Sequence, residues 1–126
     1  MNKTLQDSIV RISNGHLHRF SEIYVLRSKL VIAFLKCLYK EGFIRGFVVE
    51  KRKIKVFLKY YGGKSSIQHI SSVSTLSKRV YISKIELLNL LSSKGLLIIS
   101  TSKGLFTSRD VYQDNFIGGE ILCKVY

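Results

Sequence analysis

The chain has 126 residues, 46% of them hydrophobic, and a formal net charge of +13 from 21 Lys and Arg against 8 Asp and Glu. That length suits one domain or two small ones sharing a core, and the lack of a ~20-residue apolar run or a signal-peptide pattern argues against a membrane span and against secretion. Such a charge excess would repel itself in a compact protein, so we expect a polyanionic partner that binds more weakly as salt increases.

Neither charge nor composition is even along the chain. Residues 1–63 hold 13 basic and 4 acidic residues, a net charge of +9, whereas residues 64–126 hold 8 and 4, a net charge of +4. We expect the first half to make the stronger phosphate contacts, and the second, richer in Ser, Thr and Gly, to recognise shape. The absence of Pro and the single Ala, at position 33, are typical of translation from an AT-rich genome.

Two helices with a strand between them are predicted in the first half. An apolar stripe that begins at Leu5 predicts a first helix ending at Asn14-Gly15, and residues 22–26 are predicted as a strand. Ser28 is the expected N-cap of a second amphipathic helix, and Gly42 is its expected end.

A hairpin and a glycine-rich break follow the second helix. Residues 43–50 and 53–61 are predicted to pair, and the second strand presents a mostly basic outer face. Those lysines either form a solvated strand face or belong to a phosphate-binding surface. Gly62-Gly63 interrupts the pattern, so we predict two domains, residues 1–63 and 64–126.

The second half is predicted to contain several strands and one short helix. Ser83 and Glu86 match a capping box, which opens a helix through about Leu91, and Gly95 ends that segment. The predicted strands cover residues 67–73, 79–82, 96–99, 105–107 and 120–126.

No fragment satisfies a catalytic motif. Gly62-Gly63-Lys64-Ser65 lacks the earlier glycine of a P-loop, because position 58 is Leu. Ser100-Thr101-Ser102-Lys103 matches the Ser-x-x-Lys of penicillin-binding enzymes without their partner motifs, so a hydrolase is the weakest alternative. The three His residues lack metal-ligand spacing, and the two Cys residues are expected to be reduced core residues. We therefore expect no catalytic residue, metal or cofactor.

The loop after the strand at 96–99 combines small polar residues, a cation and a glycine. Ser100, Thr101 and Ser102 are short donors and acceptors suited to the shallow minor groove of A-form RNA, which exposes 2′-hydroxyls. Lys103 would attract phosphate, and Gly104 would let the backbone approach closely. Such a loop is by itself more often an ordinary turn, but in a chain this basic we predict an RNA contact.

Several short segments, in their order and spacing, resemble the bacterial-type family of small-subunit ribosomal protein eight over nearly the whole chain. The segments that carry the resemblance are Asp7, Arg11-Ile12, Asn14-Gly15, Ser28-Lys29-Leu30, Glu41-Gly42-Phe43-Ile44, Leu58-Lys59-Tyr60-Tyr61, Arg79-Val80-Tyr81, Ser100-Thr101-Ser102-Lys103-Gly104 with Thr107, Arg109 and Asp110, and Gly118-Gly119-Glu120.

The resemblance implies an α+β fold of two small α/β domains, α-β-α-β-β in the N-terminal one and a mostly antiparallel sheet with a short helix in the C-terminal one. It implies direct binding to an irregular stem in the central domain of small-subunit rRNA, early in assembly. Implied neighbours are small-subunit ribosomal proteins five and, in some members, seventeen, with no membrane and no small-molecule substrate. Repression of a messenger RNA that imitates the rRNA site is the alternative role.

The residues that match the family's motifs predict the RNA surface, and Lys64 extends it. Tyr81 would either stack on a base or pack as a cross-strand residue. Glu120 would accept a hydrogen bond from a base, orient a neighbour, or simply complete a Gly-Gly turn. The expected RNA-binding residues are Arg11, Asn14, Ser28, Lys29, Lys59, Lys64, Arg79, Tyr81, Ser100, Thr101, Ser102, Lys103, Gly104, Arg109 and Glu120.

Two features of the sequence bear on these expectations. One is a departure from the family's pattern, and the other is the composition. Leu76-Ser77 stands where the family usually has Pro-Gly, just before Arg79. The AT-rich composition, with no presequence recognisable, predicts a mitochondrial small ribosomal subunit in the matrix. A plastid and the cytoplasm of an AT-rich bacterium are the alternatives.

Overall fold

The computed structural model describes residues 2–83, 85–86, 95–112 and 118–126. Within them lie the helices α1 (Lys3–Leu17) and α2 (Lys29–Lys40), and the 3-10 helix Ser108–Tyr112. The strands are β1 (Glu22–Leu26), β2 (Ile44–Val49), β3 (Lys53–Leu58), β4 (Tyr60–Tyr61), β5 (Lys64–Ser65), β6 (Ile70–Ser72), β7 (Tyr81–Ser83), β8 (Leu96–Thr101), β9 (Gly104–Thr107) and β10 (Gly118–Val125).

Helix α1 runs further than its sequence predicts. It begins at the cap Asn2 and buries the predicted apolar stripe, but the predicted end at Asn14-Gly15 is wrong. The chain leaves the helix at Arg19, whose φ of 58° is the left-handed conformation usual just after a helix. The Arg19 N–H donates to His16 O (3.2 Å) and the Phe20 N–H to Gly15 O (2.9 Å), which satisfies two carbonyls of the last turn.

Helix α2 has the two ends that its sequence predicts. The Ser28 hydroxyl accepts from the N–H of Val31 (3.1 Å), which makes it the N-cap. Gly42 has a φ of 79°, and the following Phe43 N–H donates to Leu38 O (2.9 Å). The glycine therefore supplies the left-handed residue that closes the helix.

The first antiparallel sheet has the strand order β1-β3-β2. Alternate residues of β1 and β3 are buried toward the helices, as the period-two pattern predicts. The strand predicted over residues 53–61 is too long, because β3 ends at Leu58 and Tyr60–Tyr61 forms β4. Strand β4 pairs with β5 across Gly62 and Gly63, whose φ values of 54° and 80° suit a two-residue hairpin turn. The division of the chain at residue 63 stays a prediction.

The second antiparallel sheet is built around the last strand. Its order is β6-β10-β8-β9, and β7 pairs with the first residues of β10. The strands predicted over 67–73 and 79–82 are shorter, at Ile70–Ser72 and Tyr81–Ser83. The Ser83 hydroxyl accepts from the N–H of Glu86 (3.2 Å), as expected of a helix cap, and the rest of the predicted helix to Leu91 lies outside the described residues.

One hydrophobic cluster joins the helices to both large sheets. It holds the inner residues of α1, α2, β1 and β3, together with Ile70, Ile98, Leu122 and Val125 of the second sheet. The buried thiol of Cys123 belongs to it, and burial raises the pKa of that thiol, as expected of a reduced core residue. The α+β class is confirmed by two helices and several antiparallel sheets. No described helix is both long and apolar enough to cross a membrane.

Gly15 is a packing residue rather than a helix stop. A Cβ at this position would lie 2.8 Å from Ile23 Cγ2 and 2.9 Å from Leu58 Cδ1. We expect Gly15→Ala to lower the free energy of unfolding by about 1–3 kcal/mol, because overpacking outweighs the helix preference of alanine. Urea denaturation would measure it, with the exposed Ser13→Ala of the same helix as control. A Gly15→Ala protein as stable as that control would contradict the packing role.

His16 is buried without a hydrogen-bond partner. Its side chain is 6% exposed, neither ring nitrogen is paired, and its ring lies 5.4 Å from that of Tyr60. Burial lowers the pKa of this imidazole below its usual 6.5. Above pH 6.5 the His16 imidazole is mostly neutral in both the folded and the unfolded protein. Below pH 6.5 the unfolded chain binds a proton more readily than the folded protein does.

Stability is therefore expected to decline as the pH falls below 6.5, and His16→Gln should reduce that decline. Urea midpoints measured in steps from pH 7.5 to about pH 5, above the usual carboxylate pKa values, would test it. His18→Gln, at the exposed C-cap of the same helix, is the matched control. Equal slopes for all three proteins would show that His16 does not contribute.

Candidate nucleic-acid interface

Three predicted site residues lie side by side across the second sheet. Tyr81 of β7 pairs in register with Glu120 of β10, and Glu120 pairs with Ser100 of β8. Residues directly opposite each other in a sheet project to the same face. Tyr81 is 63% exposed, whereas Glu120 and Ser100 are half-buried. We call Tyr81, Glu120 and Ser100 the cross-strand row.

Two glycines bring these strands together. A Cβ on Gly118 would overlap Ile82 O of β7, and one on Gly119 would overlap Ser100 O of β8. The alternative in which Glu120 completes a Gly-Gly turn is therefore wrong, because both glycines pair as the first residues of β10. Only residues without a side chain allow β7 and β8 to approach β10 this closely.

The turn between β8 and β9 adds polar groups next to the row. The Thr101 hydroxyl donates to Gly104 O (3.0 Å) and accepts from the N–H of Lys103 (3.2 Å), so it holds the turn closed. Ser102 and Lys103 are exposed at its tip. Gly104 has a φ of 123°, a conformation that favours glycine. The turn thus presents one hydroxyl and one ammonium outward, beside Ser100.

Arg79 lies at the other end of the row, two residues before Tyr81, and is exposed. The preceding turn departs from the family's Pro-Gly and is held by Thr75 instead. The Thr75 N–H donates to Lys78 O (2.7 Å), and its hydroxyl accepts from the Lys78 N–H (3.0 Å). Hydrogen bonds of this kind close a turn without proline.

Arg109 lies in a different environment. Its guanidinium forms an ion pair with Glu41 at the end of α2 (2.9 Å), and the Glu41 side chain is only 7% exposed. Next to it, Asp110 accepts from the Thr107 N–H (3.0 Å) and from the Lys40 ammonium (3.3 Å). Burial opposes ionisation of Asp110, but these hydrogen bonds and the nearby ammonium outweigh it and lower its pKa. The guanidinium of Arg109 therefore helps join the end of α2 to the 3-10 helix that follows β9.

The six other expected site residues form small groups on the first half and around the β4–β5 hairpin. The Arg11 guanidinium donates to Asp7 (2.9 Å) and to Tyr24 O (3.2 Å), and the exposed Asn14 lines the same open cavity of about 390 Å³. The remaining four lie in two further places: Ser28 and Lys29 at the start of α2, and Lys59 and Lys64 around the β4–β5 hairpin.

Residues 3–126 match the family Ribosomal protein S8. The chain belongs to the ribosomal protein S8 family.

Its relatives include small ribosomal subunit protein uS8 of several bacteria. That of Baumannia cicadellinicola subsp. Homalodisca coagulata is 39% identical over 130 residues, which cover 99% of this chain and 98% of that protein. That of Orientia tsutsugamushi (strain Boryong) is 39% identical over 132 residues, with 100% and 98% covered. That of Ruthia magnifica subsp. Calyptogena magnifica is 35% identical over 130 residues, again with 100% and 98% covered.

Membership of this family means that the chain is a small-subunit ribosomal protein, and it confirms the resemblance found in the sequence. Proteins of the S8 family are structural, non-enzymatic components of the ribosome, so the prediction that the chain is not an enzyme is also confirmed. Within the described ranges, no three His, Cys, Asp or Glu side chains are grouped to hold a metal ion.

Sequence reasoning missed the residue that ties β7 to β10. Ser74 is fully buried, its hydroxyl accepts from the N–H of Val80 (2.9 Å), and it donates to Ile121 O (2.5 Å). It therefore fixes the segment before Tyr81 against the central strand. A lone serine among other serines carries no sequence signal for this role, because its partners are distant in sequence.

The close approach at Gly119 is testable by adding one methyl group. Gly119→Ala is expected to lower the free energy of unfolding by about 1–3 kcal/mol or more, because the methyl meets a backbone carbonyl that cannot rotate away. The control is Gly46→Ala in β2, where a Cβ would meet no atom within 4 Å. Urea denaturation gives stability, and amide exchange on β8 and β10 locates the change. Two variants of equal stability would refute the role of Gly119 in closing the sheet.

Proposed function

We propose that this ribosomal protein binds an irregular stem in the central domain of small-subunit rRNA directly and supports early assembly. The carrying observation is the cross-strand row, with the β8–β9 turn beside it, in a chain of net charge +13. The proposed contact surface comprises Arg79, Tyr81, Ser100, Thr101, Ser102, Lys103, Gly104 and Glu120.

The chemistry of this surface suits a folded RNA. An A-form stem offers 2′-hydroxyls and phosphates in a shallow groove, and irregular pairs expose base edges. Ser100 and Ser102 can donate and accept, Lys103 attracts phosphate, and the exposed ring of Tyr81 can stack. Glu120 carries no attraction for phosphate, so its place in the row favours acceptance from a base or a ribose hydroxyl.

The other expected site residues serve as phosphate contacts in this proposal. Arg11, Asn14, Lys59 and Lys64 lie on the first half and around the β4–β5 hairpin, and Ser28 and Lys29 open α2, whose N-terminus favours anions. Arg109 would contribute the part of its guanidinium that Glu41 leaves exposed, since its side chain is 74% exposed. Binding is expected to lose affinity steeply with salt.

Neighbours and compartment complete the proposal. We place the protein next to small-subunit ribosomal protein five and, as in some members of the family, seventeen. We place it in a mitochondrial ribosome, with plastid and bacterial ribosomes as alternatives. The AT-rich composition supports the organelle, whereas the three relatives named above are bacterial and fit a bacterial cytoplasm equally well. A messenger RNA that imitates the stem would occupy the same surface, and footprinting on both RNAs separates the two roles.

The double variant Ser102→Ala/Lys103→Ala tests the turn. We expect it to weaken the rRNA stem by about tenfold or more and a generic RNA duplex by only a few-fold, because the hydroxyl is specific and the charge is not. The control Lys51→Ala removes one exposed cation from the β2–β3 turn and should affect both RNAs alike. Filter binding at several salt concentrations gives both values. Equal losses on stem and duplex for the double variant would leave only general electrostatics.

A further inference from the structure

The outer face of the first sheet is a second surface with a distinct composition. Helices α1 and α2 cover the other face, where Ile23, Val25, Ile54 and Val56 are buried. The outer face is laid out in cross-strand rows by the pairing of β1 and β2 with the central β3. One row is Tyr24, Lys55 and Val48, and the next is Glu22, Phe57 and Gly46.

Two aromatic rings lie on this face outside the hydrophobic core. Tyr24 is 37% exposed, and Phe57 is half-buried and belongs to neither core cluster of the described residues. They occupy diagonal positions, because Tyr24 pairs with Lys55 and Phe57 lies two residues further along β3. Diagonal neighbours in a sheet are about 7–8 Å apart, within the reach of one nucleotide.

Cations already rest on these rings. Lys53 Nζ lies 4.1 Å from the centroid of the Tyr24 ring and Lys55 Nζ lies 5.6 Å from it. The guanidinium carbon of Arg45 lies 5.6 Å from the Phe57 ring centroid. Each ring therefore has an electron-rich face that a cation can reach, and the long side chains of Lys53 and Lys55 can move away from Tyr24.

We propose that this face binds a single-stranded segment of RNA, with successive bases stacked on Tyr24 and Phe57. The ammonium groups of Lys53 and Lys55 would move from the Tyr24 ring to the neighbouring phosphates. Arg45 would offer its terminal N–H groups to a phosphate while its Nε–H still donates to Leu58 O (2.9 Å). The inference rests on the proposed function in that its partner is RNA, but it adds a contact separate from the stem surface. The protein would thus hold a stem with one sheet and an unpaired strand with the other.

Charge decides between RNA and a protein neighbour as the occupant. Three cations surround the two rings, against two carboxylates, Glu22 at 4.0 Å from Lys55 and Glu50, whose charge also acts on Lys55. A protein partner that covered the rings would have to desolvate those cations, and charged residues are depleted from the centres of protein interfaces. A strand of RNA supplies both an aromatic face for each ring and a phosphate for each cation.

The direct test uses a labelled single-stranded RNA of eight adenosines and, separately, the cognate stem. Tyr24→Leu is expected to weaken binding of the single strand about fivefold or more, because one stacked base is lost, and to leave stem affinity within about twofold. Tyr24→Phe keeps the ring and should retain affinity. Tyr39→Leu, at a tyrosine 57% exposed on α2, is the matched control and should change neither RNA.

Further arms keep the inference separable from the proposed function and from misfolding. Phe57→Leu should repeat the loss, and Lys53→Gln should lower the salt dependence by about one counterion with both rings intact. Unfolding curves verify that each variant is folded. Unchanged single-strand binding in folded Tyr24→Leu and Phe57→Leu would overturn the inference. So would assembled subunits in which a ribosomal protein, and not RNA, crosslinks to Tyr24. If the unmodified protein binds the single strand but not the cognate stem, the result counts against the proposed function and not against this inference.

Discussion

The arrangement of the second sheet depends on how closely β7 and β8 approach the first residues of β10. Gly118 and Gly119 face the carbonyls of Ile82 and Ser100 at a separation that admits no side chain. Three strands therefore meet at one end of the sheet, and their pairing aligns Tyr81, Glu120 and Ser100. The same strand continues into the core through Leu122 and Val125, so the cross-strand row is anchored to the hydrophobic core.

Sequence signals predict the bounds of those helices and strands whose ends are determined by neighbouring residues in the chain. Strand β1 has the predicted bounds because its alternation is complete within five residues. Helix α2 has both predicted ends because Ser28 and Gly42 act on backbone groups within a single turn. For these elements the residue type and the conformation that it permits are sufficient.

A glycine misleads sequence-based prediction where it is needed for packing between elements rather than for ending one. At Gly15 the sequence offers the same Asn-Gly signal that ends many helices, but the residue is small because Ile23 and Leu58 pack against the helix there. Arg19, an ordinary residue, takes the left-handed conformation that a glycine would be expected to supply. The early end of β3 has a similar origin, since Gly62 and Gly63 form a hairpin turn that draws Tyr60–Tyr61 away from the first sheet.

The candidate interface was predictable as a set of residues but not as an arrangement. Resemblance to the family supplied Tyr81, Ser100 and Glu120, whereas their alignment depends on register between strands far apart in sequence. The buried hydroxyl of Ser74, which fixes that register on one side, has partners at positions 80 and 121 and leaves no local trace. Thr101 is the opposite case. The sequence predicts that its hydroxyl contacts RNA, but the hydroxyl already forms hydrogen bonds within its own turn.

Some basic side chains of the first half stabilise the fold, and others remain free to bind a partner. Arginines at positions 11, 19, 27 and 45 donate to the backbone carbonyls of Tyr24, Gly63, Glu50 and Leu58, so they fix strand ends and turns. A planar guanidinium with five donors can do this and still present N–H groups to a phosphate. The lysines of β3 have no such fork, and Lys53 and Lys55 rest on an aromatic ring. Under the proposals made above, net charge would attract RNA from a distance, and the positions of the lysines and exposed rings would determine where an RNA strand can lie.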